Sequence, residues 1–75
     1  MTNKSMAEVI SNRRKELGMT QKELAEKLNI TDKAVSKWER GIACPDTAAI
    51  PKVAQILGIS LEELMKSRLG LLKKV

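Results

Sequence analysis

The chain reads as an all-α domain built from five short helices, and three observations predict this. Apolar residues recur at helical spacing, Leu24 with Leu28 and Val35 with Trp38. Two strings, Thr20 to Glu23 and Ser60 to Glu63, have the capping-box pattern of a hydroxyl followed three residues later by glutamate. Gly18, Gly41 and Gly58 stand where the periodic stretches stop. No alternating pattern of the strand type intervenes, and no internal repeat or low-complexity segment is present.

Residues 1–4 read as a short disordered start. Ser5 can cap a first helix reaching about Leu17, with Glu8 near its positive end and Arg13, Arg14 and Lys15 toward its negative end. Met6, Val9, Ile10 and Leu17 can face its inner side. Gly18 ends it, because glycine accepts positive φ. The second helix spans about Gln21 to Leu28, opened by Thr20 and Glu23, and Asn29 falls in the turn after it. Thr31 can cap a third helix, about Asp32 to Arg40, which Gly41 stops. Ile42 to Asp46 is a loop containing Pro45, and Asp46 or Thr47 can begin the next turn. Pro51 requires the fourth helix to start close to it or to kink there, and Gly58 marks the end after Leu57. Ser60 and Glu63 open a fifth helix toward Ser67. The predicted core is Ile10, Leu24, Ala25, Leu28, Ile30, Val35, Trp38, Ile50, Val53, Ala54, Leu57, Ile59, Leu61 and Leu64. Residues 5–67 thus form one domain. Residues 68–75 are a tail whose Leu69, Leu71 and Leu72 can fray, pack on a second subunit or lead into a further domain.

Length and composition narrow the function. Seventy-five residues make a single domain that buries about 60–65% of its unfolded surface. Trp38 is the only aromatic residue, so aliphatic side chains must fill the core, and recognition of single strands by base stacking is disfavoured. The net charge of +5 suits a polyanionic partner. One cysteine, Cys44, and no histidine leave no intramolecular disulfide and no soft ligand set for zinc. Cys44 sits in the predicted loop and reads as an inert thiol. No catalytic constellation is visible, so an enzyme is not expected, and no cofactor or metal is implied. No apolar run approaches a membrane span and the N-terminus has no signal-peptide stretch, so the expectation is a cytoplasmic protein with no membrane partner.

The segment Gln21 to Arg40 carries the functional reading. Leu24, Ala25, Leu28, Ile30, Val35 and Trp38 supply the inner side of two helices joined by a tight turn, while Asp32, Lys33, Ser36, Lys37 and Arg40 share an outward polar face. A short helix with such a face, braced by another, can enter the major groove of DNA. In order and without gaps, the chain has Thr20-Gln21, Leu24-Ala25, Val35, Ser36, Trp38-Glu39 and Gly41. Pro45-Asp46 and Ile50-Pro51-Lys52-Val53-Ala54 follow. On these residues the stretch from about Met6 to Leu64 resembles the lambda/434 repressor and Cro family, the Cro/C1-type or xenobiotic-response-element regulators.

The resemblance implies a compact five-helix lambda-repressor-like fold with the helix-turn-helix at helices 2 and 3. It implies sequence-specific binding of double-stranded DNA, most simply by a homodimeric repressor on inverted half-sites. Asp32, Lys33, Ser36 and Lys37 occupy the base-reading half of helix 3. Lysine can donate to guanine and aspartate can accept from cytosine, which points to a G/C-containing half-site. Asp32 can instead cap its own helix or pair with Lys33 or Lys37. Gln21 matches the family's phosphate-binding glutamine, and Thr31, Arg40 and Lys22 are further backbone contacts, with Arg13 and Lys15 as outer candidates or solvated charges. The family pairs an arginine and a glutamate at the positions of Arg14 and Glu39, which would brace helix 1 against helix 3. Asn29 stands where relatives usually have glycine, and Arg13 where many have an apolar residue. The dimer contact is expected in Gly58 to Met65. Similar domains also act as antitoxins, so a module that binds a protein partner is the alternative.

Overall fold

Eight-residue helices are marginal in isolation and hold their shape through caps and packing. The protein was analysed as a computed structural model that describes residues 5–68, with side chains described through Met65. It contains α1 (Met6–Glu16), α2 (Gln21–Leu28), α3 (Asp32–Glu39), α4 (Ile50–Leu57) and α5 (Leu61–Arg68). The expectations for residues 1–4 and for Leu69, Leu71 and Leu72 lie outside the described residues.

Four of the five described helix starts satisfy otherwise unpaired amides with a side chain. Ser5 and Glu8 exchange side chain–backbone bonds of 3.2 and 3.3 Å, a full capping box. Thr20 and Glu23 do the same at 3.0 and 2.8 Å. Thr31 Oγ1 accepts from the Ala34 amide and Ser60 Oγ from the Glu63 amide. No side chain caps α4, and Pro51 lies in its first turn, where its missing amide costs nothing. Asp46 Oδ1 accepts from the Ala49 amide and organises the turn that leads in.

Four helices end in one and the same way. A left-handed residue follows (Gly18, Asn29, Gly41 or Gly58), and the next residue donates its amide five residues back. The four donors are Met19 to Arg14, Ile30 to Ala25, Ile42 to Lys37 and Ile59 to Ala54. This is the Schellman closure, and it turns the chain within two residues. Asn29 is the one non-glycine in the set, with φ 62 and ψ 42.

The core is aliphatic. Ile10, Leu24, Val35, Val53, Leu57 and Leu64 are fully buried, and Trp38 is buried beside them. α1 packs on α3, α4 and α5, α2 packs on α3 and α4, and α4 packs on α5. Met6 belongs to this core, and Ile30 and Ile59 lie half-buried against it. Leu17 and Leu61 were expected inside and are instead 43% and 47% exposed. Leu17 caps α1 just as the chain reverses, so Met19 reaches the core in its place. At the other corner Ile59 and Leu64 supply the packing, and Leu61 starts α5 outside it. Among the described residues no helix is long and apolar enough to cross a membrane.

Arg13 explains itself once the helices are assembled. Its Nε donates to the Leu57 carbonyl at 2.7 Å, and Nη1 reaches Glu16 at 3.0 Å. Leu57 is the last residue of α4, so Arg13 satisfies one of the carbonyls that a helix leaves unpaired at its end. A Cβ at Gly58 would lie 3.3 Å from Arg13 Nη2. Arg13 therefore locks α1 to α4 and is occupied inside the protein.

Asn29 tests the turn between α2 and α3. Replacing it by alanine should lower stability by about 1 kcal/mol, because alanine pays the full left-handed penalty. Asn29→Gly should not lower it. Urea melts of the three proteins check both outcomes.

Candidate nucleic-acid interface

The position of α3 is set by residues from three helices. Arg14, on α1, donates from Nε to Glu39 Oε2 at 2.6 Å and from Nη2 to Glu39 Oε1 at 3.0 Å. Such two-point pairing fixes orientation as well as distance. The third nitrogen, Nη1, donates to the Met19 carbonyl at 2.6 Å, in the turn before α2. Gln21 opens α2 and donates from Nε2 to Glu39 Oε1 at 3.0 Å. The Arg14 and Glu39 side chains are only 11% and 6% exposed. Glu39, the last residue of α3, is thereby joined to α1, to the α1–α2 turn and to α2. Gln21 thus braces the end of α3.

Burial works against the charge of Glu39. Hydrogen bonds from Arg14 and Gln21, the Arg14 charge and a hydrogen bond from Ser11 outweigh it and hold the carboxyl below its usual range.

With its end pinned and Val35 and Trp38 buried, α3 turns a polar face outward. Asp32, Lys33 and Lys37 are exposed and Ser36 is half-buried. Asp32 and Ser36 stand one turn apart, as do Lys33 and Lys37, so the four make two adjacent rows. Thr31 provides the cap of α3, and Asp32 neither caps its helix nor pairs with a lysine. Its side chain is exposed to solvent. Arg40 is exposed, and its Nε is directed back to the Ser36 carbonyl at 3.4 Å. Lys22 is exposed in the first turn of α2.

The structure thus brings Asp32, Lys33, Ser36 and Lys37 together on one surface with Thr31 and Arg40 at its ends. Gln21, Arg14 and Glu39 form a separate cluster behind it. Arg13 is held toward α4 by its bond to the Leu57 carbonyl, with its side chain still 35% exposed. Sequence reasoning missed the Met19 carbonyl, which has no side-chain signature, and the Arg13 lock, whose one signal was a charge on the inner side of α1. It also passed over the Ser5–Glu8 box, legible as serine followed three residues later by glutamate. Trp38 packs inward, and Cys44 is exposed in the loop after α3.

A depressed carboxyl in the folded state stabilises above its unfolded pKa, and that stability is lost as pH falls through the folded value. The wild-type melting temperature should therefore drop on acidification below about pH 4.3, the unfolded glutamate value. Glu39→Gln should be destabilised by about 3 kcal/mol at pH 7, since it strands a buried guanidinium. It should also lose the part of the acid dependence that Glu39 supplies. Thermal melts from pH 7 to pH 3 compare the two.

Comparison with known proteins agrees with this geometry. Residues 10–64 match the HTH_3 family model, described as helix-turn-helix. The HTH-type transcriptional regulator ImmR of Bacillus subtilis (strain 168) is 36% identical over 61 residues, covering 81% of this chain and 48% of ImmR. The chain thus spans about half the length of that relative. The P22 c2 repressor, solved in complex with synthetic operator 9T, superposes with a TM-score of 0.80 at 30% identity, covering 85% of this chain and 97% of that one. Hydroxypropylphosphonic acid epoxidase from S. wedmorenis contains a similar unit, with TM-score 0.72, 28% identity, 84% of this chain and 35% of that one. The chain belongs to the HTH_3 helix-turn-helix family, in the Cro/C1-type group with repressor-like relatives.

Proposed function

We propose that this chain binds double-stranded DNA sequence-specifically through α3 in the major groove and acts as a transcriptional regulator, most simply a dimeric repressor. The observation that carries the reading is the outer face of α3. Asp32, Lys33 and Lys37 are exposed without internal partners on a helix whose inner side is buried and whose end is pinned. Side chains with no internal role on a rigid helix are suited to hydrogen bonds with base edges. The P22 c2 repressor, whose fold this chain shares, was solved on an operator, and ImmR is a transcriptional regulator.

Roles follow from position. Asp32, Lys33, Ser36 and Lys37 read bases, with lysine to guanine and aspartate to cytosine. Thr31, Arg40 and Lys22 contact phosphates, and these set register without carrying sequence information. Gln21 contributes to phosphate binding only through the part of its amide that Glu39 leaves open. Two copies bind half-sites about one helical turn, roughly 34 Å, apart. The exposed Leu61 in the Gly58 to Met65 stretch supports that stretch as the contact between copies. The similar unit inside an epoxidase supports no catalytic role for this domain, because the family's shared part covers only a third of that enzyme.

A binding selection on random duplexes at two salt concentrations tests the proposal. A two-fold motif is expected, and uniform binding that disappears with salt would reduce the interaction to counterion release. Lys37→Ala should cost about 1–3 kcal/mol on the selected site and relax one base position. An equal loss on every sequence would make Lys37 a phosphate contact instead.

A further inference from the structure

α1, α2 and α3 each open on a capping hydroxyl with an acid nearby, and at α3 the acid stands in a different place. In α1 and α2 it is the third residue of the helix, Glu8 or Glu23. Its carboxylate accepts from the amide of the capping residue, at 3.3 and 2.8 Å. In α3 the third residue is Ala34, whose amide donates to Thr31 Oγ1 at 3.2 Å. The acid of this helix is at the first position, Asp32. Among the described residues it caps no amide and pairs with no cation, and its side chain is exposed. The start of α3 is thus capped without it.

Lacking that carboxylate, the same turn would hold anions indiscriminately. The amides of Asp32 and Lys33 have no acceptor within the helix. The positive end of the helix dipole lies there, and Lys33 and Lys37 are exposed on the same helix. Such a turn suits a phosphate of any duplex, whatever its sequence. The net charge of +5 already favours that kind of binding. A carboxylate on the first residue of the turn opposes it. A phosphate brought to the start of α3 meets a like charge, whereas a cytosine amino group meets an acceptor. Discrimination is a difference between two affinities, and repulsion on the wrong partner widens it as attraction on the right one does.

We infer that Asp32 is a selectivity residue that acts chiefly against wrong DNA, its carboxylate repelling phosphate from the start of α3 and being compensated only where a base amino group meets it. The inference rests on the DNA-binding reading above. It adds to the base contact a second role, exerted on sequences the protein must leave.

The test is fluorescence-anisotropy titration of a selected duplex and a scrambled duplex of the same composition, at low and raised salt. Wild type is compared with Asp32→Asn, Asp32→Glu and Glu26→Gln. Glu26 is exposed on α2 and lies with Leu17 and Gly18 at the α1–α2 turn, so Glu26→Gln removes the same charge outside α3. Asp32→Asn should tighten binding to the scrambled duplex roughly fivefold at low salt, the effect of removing one like-charge pair about 4 Å apart in water. Raised salt should erase that gain. On the selected duplex Asp32→Asn should gain nothing, because the lost carboxylate also accepted from a base. The ratio of the two affinities should therefore fall roughly fivefold. Asp32→Glu keeps the charge and should leave scrambled binding at the wild-type level, and Glu26→Gln should change it much less than Asp32→Asn. Thermal melting of Asp32→Asn reports any weakening of the helix start, which by itself cannot tighten binding. Scrambled-duplex affinity that does not rise in Asp32→Asn, or rises no more than in Glu26→Gln, would overturn the inference. An equal gain on both duplexes would also overturn it, making Asp32 a general repulsive charge with no part in selectivity. A wild-type protein that binds neither duplex would refute the DNA-binding reading itself, before any variant is compared.

Discussion

The placement of α3 depends on one carboxylate. Glu39 accepts two hydrogen bonds from Arg14 and one from Gln21, and Arg14 also holds the carbonyl of Met19. Three helices and one turn therefore meet at a charged cluster that is almost out of water. Apolar contacts alone fix direction loosely, since they are not directional. A guanidinium facing a carboxylate at two points fixes both angle and distance. The aliphatic core supplies the driving force for assembly, and this cluster selects one orientation for the helix that carries the candidate reading face.

The rest of the domain shows the same economy of parts. With helices of roughly two turns, a large share of backbone groups lies at helix ends, and each end must be satisfied. Serine, threonine and aspartate do this at the starts, and one repeated left-handed closure does it at the finishes. Each closure also delivers an apolar residue directly after the left-handed one. At α1, α2 and α4 that residue feeds the core. At α3 it does not, so the element with the open polar face also carries an open apolar residue. Arg13 performs a related task from a distance, satisfying α4 with a side chain of α1.

Two classes of charge emerge from this arrangement. Arg13, Arg14 and Glu39 are consumed by the fold, holding helices to one another. Asp32, Lys33, Lys37 and Lys22 have no such duty and remain open to solvent. The net positive charge of the chain therefore understates how selectively its charges are placed. The appearance of the same unit in repressors and within an epoxidase chain fits a fold that positions one helix face and leaves chemistry to what surrounds it.

The sequence alone determined the helices, their order and most of their ends, because spacing, capping residues and glycines are local properties. It also separated the inner residues Leu24, Val35 and Trp38 from the outer Asp32, Lys33 and Lys37, because a helix of known period sorts its own faces. Tertiary structure decided the rest. Leu17 and Leu61 are as apolar as their buried neighbours, and only the meeting of helices placed Met19, Ile59 and Leu64 inside in their stead. Gln21 carries no mark of its bond to Glu39, 18 residues away, nor Arg13 of its bond to Leu57, 44 residues away. Ile42 was one apolar loop residue among several until three equivalents elsewhere in the fold proved packed against the core. Periodicity and capping act within a few residues, whereas which carbonyl, carboxylate or cavity a side chain meets is fixed only when distant helices pack.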